Sequence, residues 1–411
     1  MTQKIVGSKR QLTTLLLIVF FGFLGISMPY LIFPALFLNP EYSILPANSE
    51  LLSQALLLGT TLAVYPLGQF FGSPILGGLS DDYGRKWLLV GSLLMAACCN
   101  LLTGLALHWH WLWLVITSRF FAGLMEGNIS IARAMAADIK SISKHETFGK
   151  INAVASVAFL VGPIMGGLLA DNKVFAGATS ATPFYVMSVL FFSLSLASVF
   201  LFIDSSAREF KDEKVSIWSR INLFNRLFNL FKDKQLKSLL IVSSFFALAI
   251  DVFYEFAPVY LTAKWMFGPA DLILYNSLLC VALAVGNGWL APFSSTRFLA
   301  RRGIIVSAGG FALLLLGIVL TNQTLMMMGL FTLCGLVIGL GWTLITVKIS
   351  DAVPDTIQGE MMGVQMSLRF LGDALICILG GLLLLVSPKL ILFLAACISA
   401  ATMIYYIFHK D

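Results

Sequence analysis

Twelve stretches of this sequence are long and apolar enough to cross a lipid bilayer, and no other property of the chain restricts its fold so severely. They run over 14–38, 53–79, 87–107, 110–138, 148–170, 182–203, 236–264, 270–295, 303–321, 324–353, 359–385 and 387–408. A helix needs about 20 mostly apolar residues to span the hydrocarbon, where every backbone polar group must be satisfied internally. The sequence therefore predicts an all-α integral membrane protein with 12 transmembrane helices. Composition agrees: 58% of the 411 residues are hydrophobic and 12% are charged. The first run can itself span and has no A-x-A-like cleavage site after it, so it is expected to be retained.

Charge placement predicts the orientation. If both termini lie on one side, the loops of that side hold Lys4, Lys9 and Arg10; Arg85 and Lys86; Lys140, Lys144 and Lys150; the cations between 204 and 237; Arg297, Arg301 and Arg302; and Lys410. Opposite loops keep only Lys173, Lys264 and Lys389. Cations gather on the cytoplasmic side, so a multi-pass protein of the inner membrane with both termini cytoplasmic is expected. The net charge of +6 is accounted for by this topology and by contact with membrane lipids, and asks for no nucleic acid.

The polar stretch 204–235 separates six runs from six, which predicts an N-terminal six-helix bundle over 1–203, a linker over 204–235 and a C-terminal bundle over 236–411. In the linker Ile217, Trp218, Ile221, Phe224, Phe228 and Phe231 recur at three- and four-residue steps opposite a polar side. This reads as a helix on the inner membrane surface that tethers the halves, or as a site for a partner protein. The halves look related: Gly166-Gly167-Leu168-Leu169 and Gly380-Gly381-Leu382-Leu383 each lie in the fifth run of their six, and the same offset carries Gly149 onto Gly363. Parallel repeats with a substrate site between them are a transporter plan.

Between the second and third runs stands Gly77-x-Leu79-x-Asp81-x-x-Gly84-Arg85-Lys86. It resembles the G-x-L-x-D-r-x-G-r-k signature of the major facilitator superfamily, with acidic Asp82 where a basic residue is usual. The resemblance implies two six-helix bundles around a central cavity, and a loop that latches the halves on the cytoplasmic face. Physically, Gly77 and Gly84 permit a tight turn and close helix approach. Asp81 can face a helix N-terminus and Arg85 a carboxylate, for which Asp138 is a candidate. In the fifth run Gly149, Gly162, Pro163, Gly166 and Gly167 are similar to the pattern of drug:proton antiporters, with Ala158 in place of one glycine. The resemblance implies a bend at a helix interface about which the halves rock; plain close packing also fits these residues.

Arg119 and Gly123 match the R-x-x-q-G pattern of the same family, with Ala122 for the glutamine. Glu126 and Arg133 follow at steps of seven, nearly two helical turns, so the three are expected to form one polar stripe facing protein or a wet cavity, because ionised groups in lipid are costly. In the seventh run Asp251 and Glu255 lie one turn apart beside Tyr254. Two carboxylates so placed suit a proton carrier, although either could instead pair with a neighbouring cation. Trp342 could stack on an aromatic substrate or simply pack. Arg369 and Asp373, four apart, read as a structural pair.

Cys98, Cys99, Cys280, Cys334, Cys377 and Cys397 all fall inside the runs without metal spacing and read as small core residues. No metal site and no cofactor are expected, and a proton gradient is the expected energy source. Without a phosphate loop, an H-E-x-x-H or an evident Ser/His/Asp set, an enzyme is disfavoured; without a sizeable soluble domain, so is a receptor. The expected function is secondary transport by a monomer, exchanging protons for a lipophilic or cationic small molecule. The alternative is an organic anion or metallophore moved in either direction.

Overall fold

The computed structural model describes residues 2–38, 51–139, 142–170, 172, 175–202, 232–265, 267, 269–297, 300–383 and 387–409. Within them all twelve apolar runs are helical. They form α1 (Thr2–Ser27), α2 (Pro29–Leu38), α3 (Leu51–Tyr83), α4 (Arg85–His108), α5 (Leu112–Met125), α6 (Asn128–Ala137), α7 (Lys144–Ala170) and α8 (Thr182–Leu201). The second half adds α9 (Lys234–Trp265), α10 (Pro269–Val285), α11 (Ala291–Arg297), α12 (Ala300–Leu320), α13 (Thr324–Asp351), α14 (Gln358–Leu383) and α15 (Pro388–Phe408). Residues 203–231, most of the expected linker and its amphipathic helix, lie outside the described residues.

Breaks within or between runs have local causes. Gly84, with φ of +91°, turns the chain between α3 and α4, a conformation open to glycine at little cost. The fourth run is split at Glu126-Gly127 into α5 and α6. Between α10 and α11 a single π-helical turn, Gly286–Leu290, carries the buried Asn287; such turns often mark functional positions.

Among the described residues nine helical stretches are long and apolar enough to cross a membrane. The three runs not among the nine lie in α3, α5–α6 and α14. The fourth run is cut short by its turn, and α3 and α14 carry polar side chains such as Gln69, Ser73, Gln365, Arg369 and Asp373. Those same helices build the site below.

The chain divides into two compact units. The first comprises Met1–Ser141, Val161–Leu227 and Pro354–Gly381. In it α3 packs on α5, α4 on α5 and α8, and α1 on α6 and α8. The second comprises Ile142–Leu160, Phe228–Val353 and Leu382–Asp411. There α12 packs on α13 and α15, α9 on α15, and α10 on α13. Its core is aromatic, with the Phe253 ring 5.5 Å from Phe311 and 5.1 Å from Phe331. Each unit thus takes a segment from the other half of the sequence: 354–381 in the first and 142–160 in the second.

Candidate functional site

In the first unit α3 and α5 approach closely because glycines face backbone at their contact. A Cβ at Gly68 would strike the Phe120 carbonyl, one at Gly72 that of Leu124, and one at Gly123 that of Tyr65, which is how small residues work between membrane helices. This contact sets Tyr65 against Arg119. The guanidinium carbon lies 3.9 Å from the Tyr65 ring centre, 5.7 Å from that of Phe184 and 5.8 Å from that of Phe33. Arg119 is 2% exposed. Three ring faces therefore hold a desolvated cation, where cation–π attraction reaches about 2 kcal/mol or more.

The Tyr65 hydroxyl donates a hydrogen bond to Glu126, itself 2% exposed. Space for that carboxylate comes from Gly22 on α1, where a Cβ would lie 2.8 Å from Glu126 Oε1. A cavity opens beside these groups, lined by Arg119, Tyr65, Gln69 and Asp373 with Phe33, Thr61 and Pro66 among its apolar wall. Gln69 is 1% exposed, and its Nε2 has no hydrogen-bond partner among the described residues.

The stripe expected on one helix is interrupted. Arg119 lies on α5, Glu126 in the turn after it, and the buried Arg133 on α6. At the break Gly127 packs close on α3, where a Cβ would come within 2.7 Å of the Gly72 carbonyl. Tyr65, Gln69 and Asp373 were not foreseen as cavity residues. Asp373, read from spacing as the partner of Arg369, faces the cavity wall; the only signal in the sequence was its charge inside an apolar run.

A second cluster sits where α3 meets the start of α14. The Asp81 carboxylate accepts the backbone N–H of Gly359 at 3.2 Å and of Glu360 at 2.9 Å, residues nearly 280 positions away. These are among the first amides of α14, which have no partner within their helix, and the positive end of the helix dipole favours an anion there. Arg85 binds Asp81 at 3.1 Å and Asp138 at 3.0 Å. Contact is tight: a Cβ at Gly77 would meet the Gly359 carbonyl and one at Gly363 the Ser73 carbonyl. Ser367 Oγ donates to the Phe70 carbonyl at 2.6 Å. Asp81 lies beyond the apolar stretch 53–79, and burial pushes its carboxyl up to about 6 against the pull of Arg85 and the two amides. At pH 7 it is still ionised, the form that accepts both amides. Lys86 lies over the exposed Trp87 ring at 5.3 Å.

The glycines of α7 face different neighbours. Gly162 packs on Ser27 at the end of α1 and Gly166 on the Met28 carbonyl just after it, in the first unit, next to Pro163. Gly167 is half-buried. Gly149 packs in the second unit, where its Cβ would lie 2.6 Å from the Asn287 carbonyl. Beside it runs a closed polar network that sequence reading missed. Asn152 donates to Thr343 Oγ1 at 3.0 Å, Thr343 to Asn287 Oδ1 at 2.9 Å, and Asn287 to Ser156 Oγ at 3.1 Å. The π-helical turn supplies Asn287.

Also in the second unit, Asp251 on α9 is 8% exposed, Glu255 is exposed and Tyr254 half-buried. Asp251 is close enough to act electrostatically on Glu255. Trp342 on α13 is 6% exposed, packed into the helix interior.

Comparison with known proteins bears on what this arrangement serves. The family model described as Major Facilitator Superfamily matches residues 15–377. The chain is 36% identical over 141 residues to the tetracycline resistance protein, class H, of Pasteurella multocida, covering 33% of this chain and 34% of that protein. The similarity thus spans about a third of the length of the tetracycline resistance relatives. Over 335 residues it is 25% identical to the MFS-type transporter YuxJ of Bacillus subtilis (strain 168), covering 79% of this chain and 80% of that one. Among solved structures, the human organic anion transporter MFSD10 (TETRAN) superposes with a TM-score of 0.72 at 15% identity, covering 97% of this chain and 99% of that one.

Proposed function

Because the chain belongs to the Major Facilitator Superfamily and is therefore a membrane transporter rather than an enzyme, we propose that it is a proton-coupled antiporter exporting a lipophilic or cationic small molecule. The observation that carries this reading is the pairing of a cavity with a buried acid: Arg119, Gln69 and Asp373 line the cavity, and Glu126 is bonded to Tyr65 in its wall. An ionisable residue kept inside membrane helices, at a cost of roughly 2.5–3.5 kcal/mol on insertion scales, is by default a candidate for function. Relatives described as tetracycline resistance proteins, and the multidrug resistance protein 2 of Bacillus subtilis (strain 168), support efflux.

In the mechanism, Glu126, or one of Asp251 and Glu255, takes a proton from outside as substrate leaves. The halves then rock about α7 near Gly162-Pro163, and release of the proton inside restores the acid. Asp81, Arg85 and Asp138 latch the outward-open form at the cytoplasmic face. One charge moved through 100 mV is worth about 2.3 kcal/mol, which at about 1.4 kcal/mol per tenfold supports roughly a 50-fold gradient, so one proton per cycle suffices. The protein works as a monomer in the inner membrane with both termini cytoplasmic.

Purified protein in proteoliposomes under an imposed pH gradient tests this with ethidium, tetracycline and benzoate as probes. Gradient-driven flux is expected, and Glu126→Gln or Asp251→Asn should abolish coupling while the protein stays folded. Unchanged coupling in both variants removes these acids from the mechanism. The presence of Arg119 at the cavity favours a second reading, an organic anion or metallophore as cargo. Loss of substrate binding in Arg119→Ala but not in Glu126→Gln would decide for it.

A further inference from the structure

Tyr65 belongs to two environments at once. Its ring is a wall of the cavity and lies on the Arg119 guanidinium at 3.9 Å, while its hydroxyl bonds Glu126. Glu126 is not itself a cavity-lining residue. Arg119, which lines the cavity, feels the Glu126 charge directly, and the Tyr65 hydroxyl gives the cavity a second route to it. Arg119 on α5 is fixed among three rings; α1 presents Gly22; α6 presents Ile129. Cys99 of α4 packs beside Tyr65. Gln69, one turn along α3 from Tyr65, has a side-chain N–H donor on the same cavity without a partner among the described residues, which suits a substrate with a hydrogen-bond acceptor near Arg119.

We propose that Tyr65 is the positioning residue through which the proton on Glu126 sets the state of the cavity, an inference that rests on the proton-coupled reading above. With Glu126 ionised, its oxygen accepts the Tyr65 O–H and the ring is held flat on Arg119. When a proton binds the carboxylate, the acid keeps a carbonyl acceptor but the bond from Tyr65 loses its charge assistance. The Tyr65 hydroxyl is then held less firmly, the ring moves on the guanidinium, and Arg119 with Gln69 changes its presentation to the acceptor group of the substrate. No covalent bond changes apart from the O–H formed on Glu126.

The test needs no identified substrate. In protein whose six native cysteines are replaced, Leu62→Cys places a thiol on the half-buried lining of the cavity. Its labelling by a membrane-permeant maleimide is followed from pH 5.5 to 8.5 in proteoliposomes, each rate divided by that of the denatured protein at the same pH. The normalised rate is expected to change at least threefold across this range, and to become flat in both Glu126→Gln and Tyr65→Phe. Tyr65→Phe keeps the ring on Arg119 and removes only the hydroxyl, so folding is preserved. A Tyr65→Phe profile that matches the parent while Glu126→Gln is flat overturns the role of Tyr65 and leaves the proton reading intact. A Glu126→Gln profile that matches the parent overturns Glu126 as the proton site and the inference with it, and a flat parent profile overturns the inference directly.

Discussion

Replacing Asp81 by asparagine should loosen the contact between α3 and α14 by an amount set by three distances. The carboxylate, 2% exposed, accepts two amides of α14 at 3.2 and 2.9 Å and Arg85 at 3.1 Å. Hydrogen bonds to charged groups contribute about 1.5–3 kcal/mol each. Asparagine keeps one acceptor oxygen, so one amide bond is lost and the other loses its charge assistance, together about 2–4 kcal/mol, or roughly 30- to 700-fold in the open population. Ser80→Cys is the reporter, since Ser80 is 1% exposed and packed against Gly359. Maleimide labelling of this thiol should rise by that factor in the Asp81→Asn background. If Asp81 served only its buried pair with Arg85 and held no amide of α14, the contact between α3 and α14 would not depend on it and labelling would rise hardly at all. A rise that small refutes the capping argument.

Other perturbations follow from the same contacts. Gly363→Ala drives a methyl into the Ser73 carbonyl and to 2.7 Å from Pro74 Cα; since neither backbone atom can rotate away, it should cost about 1–3 kcal/mol, seen as a lowered melting temperature in detergent and faster Ser80→Cys labelling. Asn287→Ala removes two bonds of the Asn152–Thr343–Asn287–Ser156 network. At roughly 0.6 kcal/mol each, with a ceiling near 1.7, the loss should be about 1–3 kcal/mol, and the double variant with Ser156→Ala should lose less than the sum of the singles. Lys264 donates to Tyr260 and to the carbonyls of Val319 and Thr321 at the end of α12; Lys264→Met should lower stability by about 1 kcal/mol with transport rate unchanged.

The apolar runs were legible as helices because length and apolarity alone decide whether a segment can span, and no long-range information is needed. The signature stretch also pointed Asp81 at a helix N-terminus and Arg85 at a carboxylate, with Asp138 as the candidate, and these are the contacts found. The cavity was harder to read. Tyr65, Gln69 and Asp373 are single polar residues on runs that meet through contacts far apart in sequence, Tyr65 with Arg119 and both with Asp373, and nothing local to any of them signals the meeting. The turn at Glu126-Gly127 was hidden for a related reason: the seven-residue spacing of Arg119, Glu126 and Arg133 fits one continuous helix, and the packing of α3 against Gly127 is a contact that spacing does not reveal. The π-helical turn that delivers Asn287 adds a residue to the helical period, which no periodicity argument anticipates.

The exchange of segments between the two compact units bears on how this gene could be divided. A cut within 204–235 would sever a single covalent link, yet neither product could complete its own fold. The N-terminal fragment would lack 354–381, and with it the amides that Asp81 caps; the C-terminal fragment would lack 142–160, and with it the Asn152 and Ser156 partners of Asn287. Bisected versions are therefore viable only when both pieces are made together in one membrane, and their reassembly is a complementation assay built into the chain.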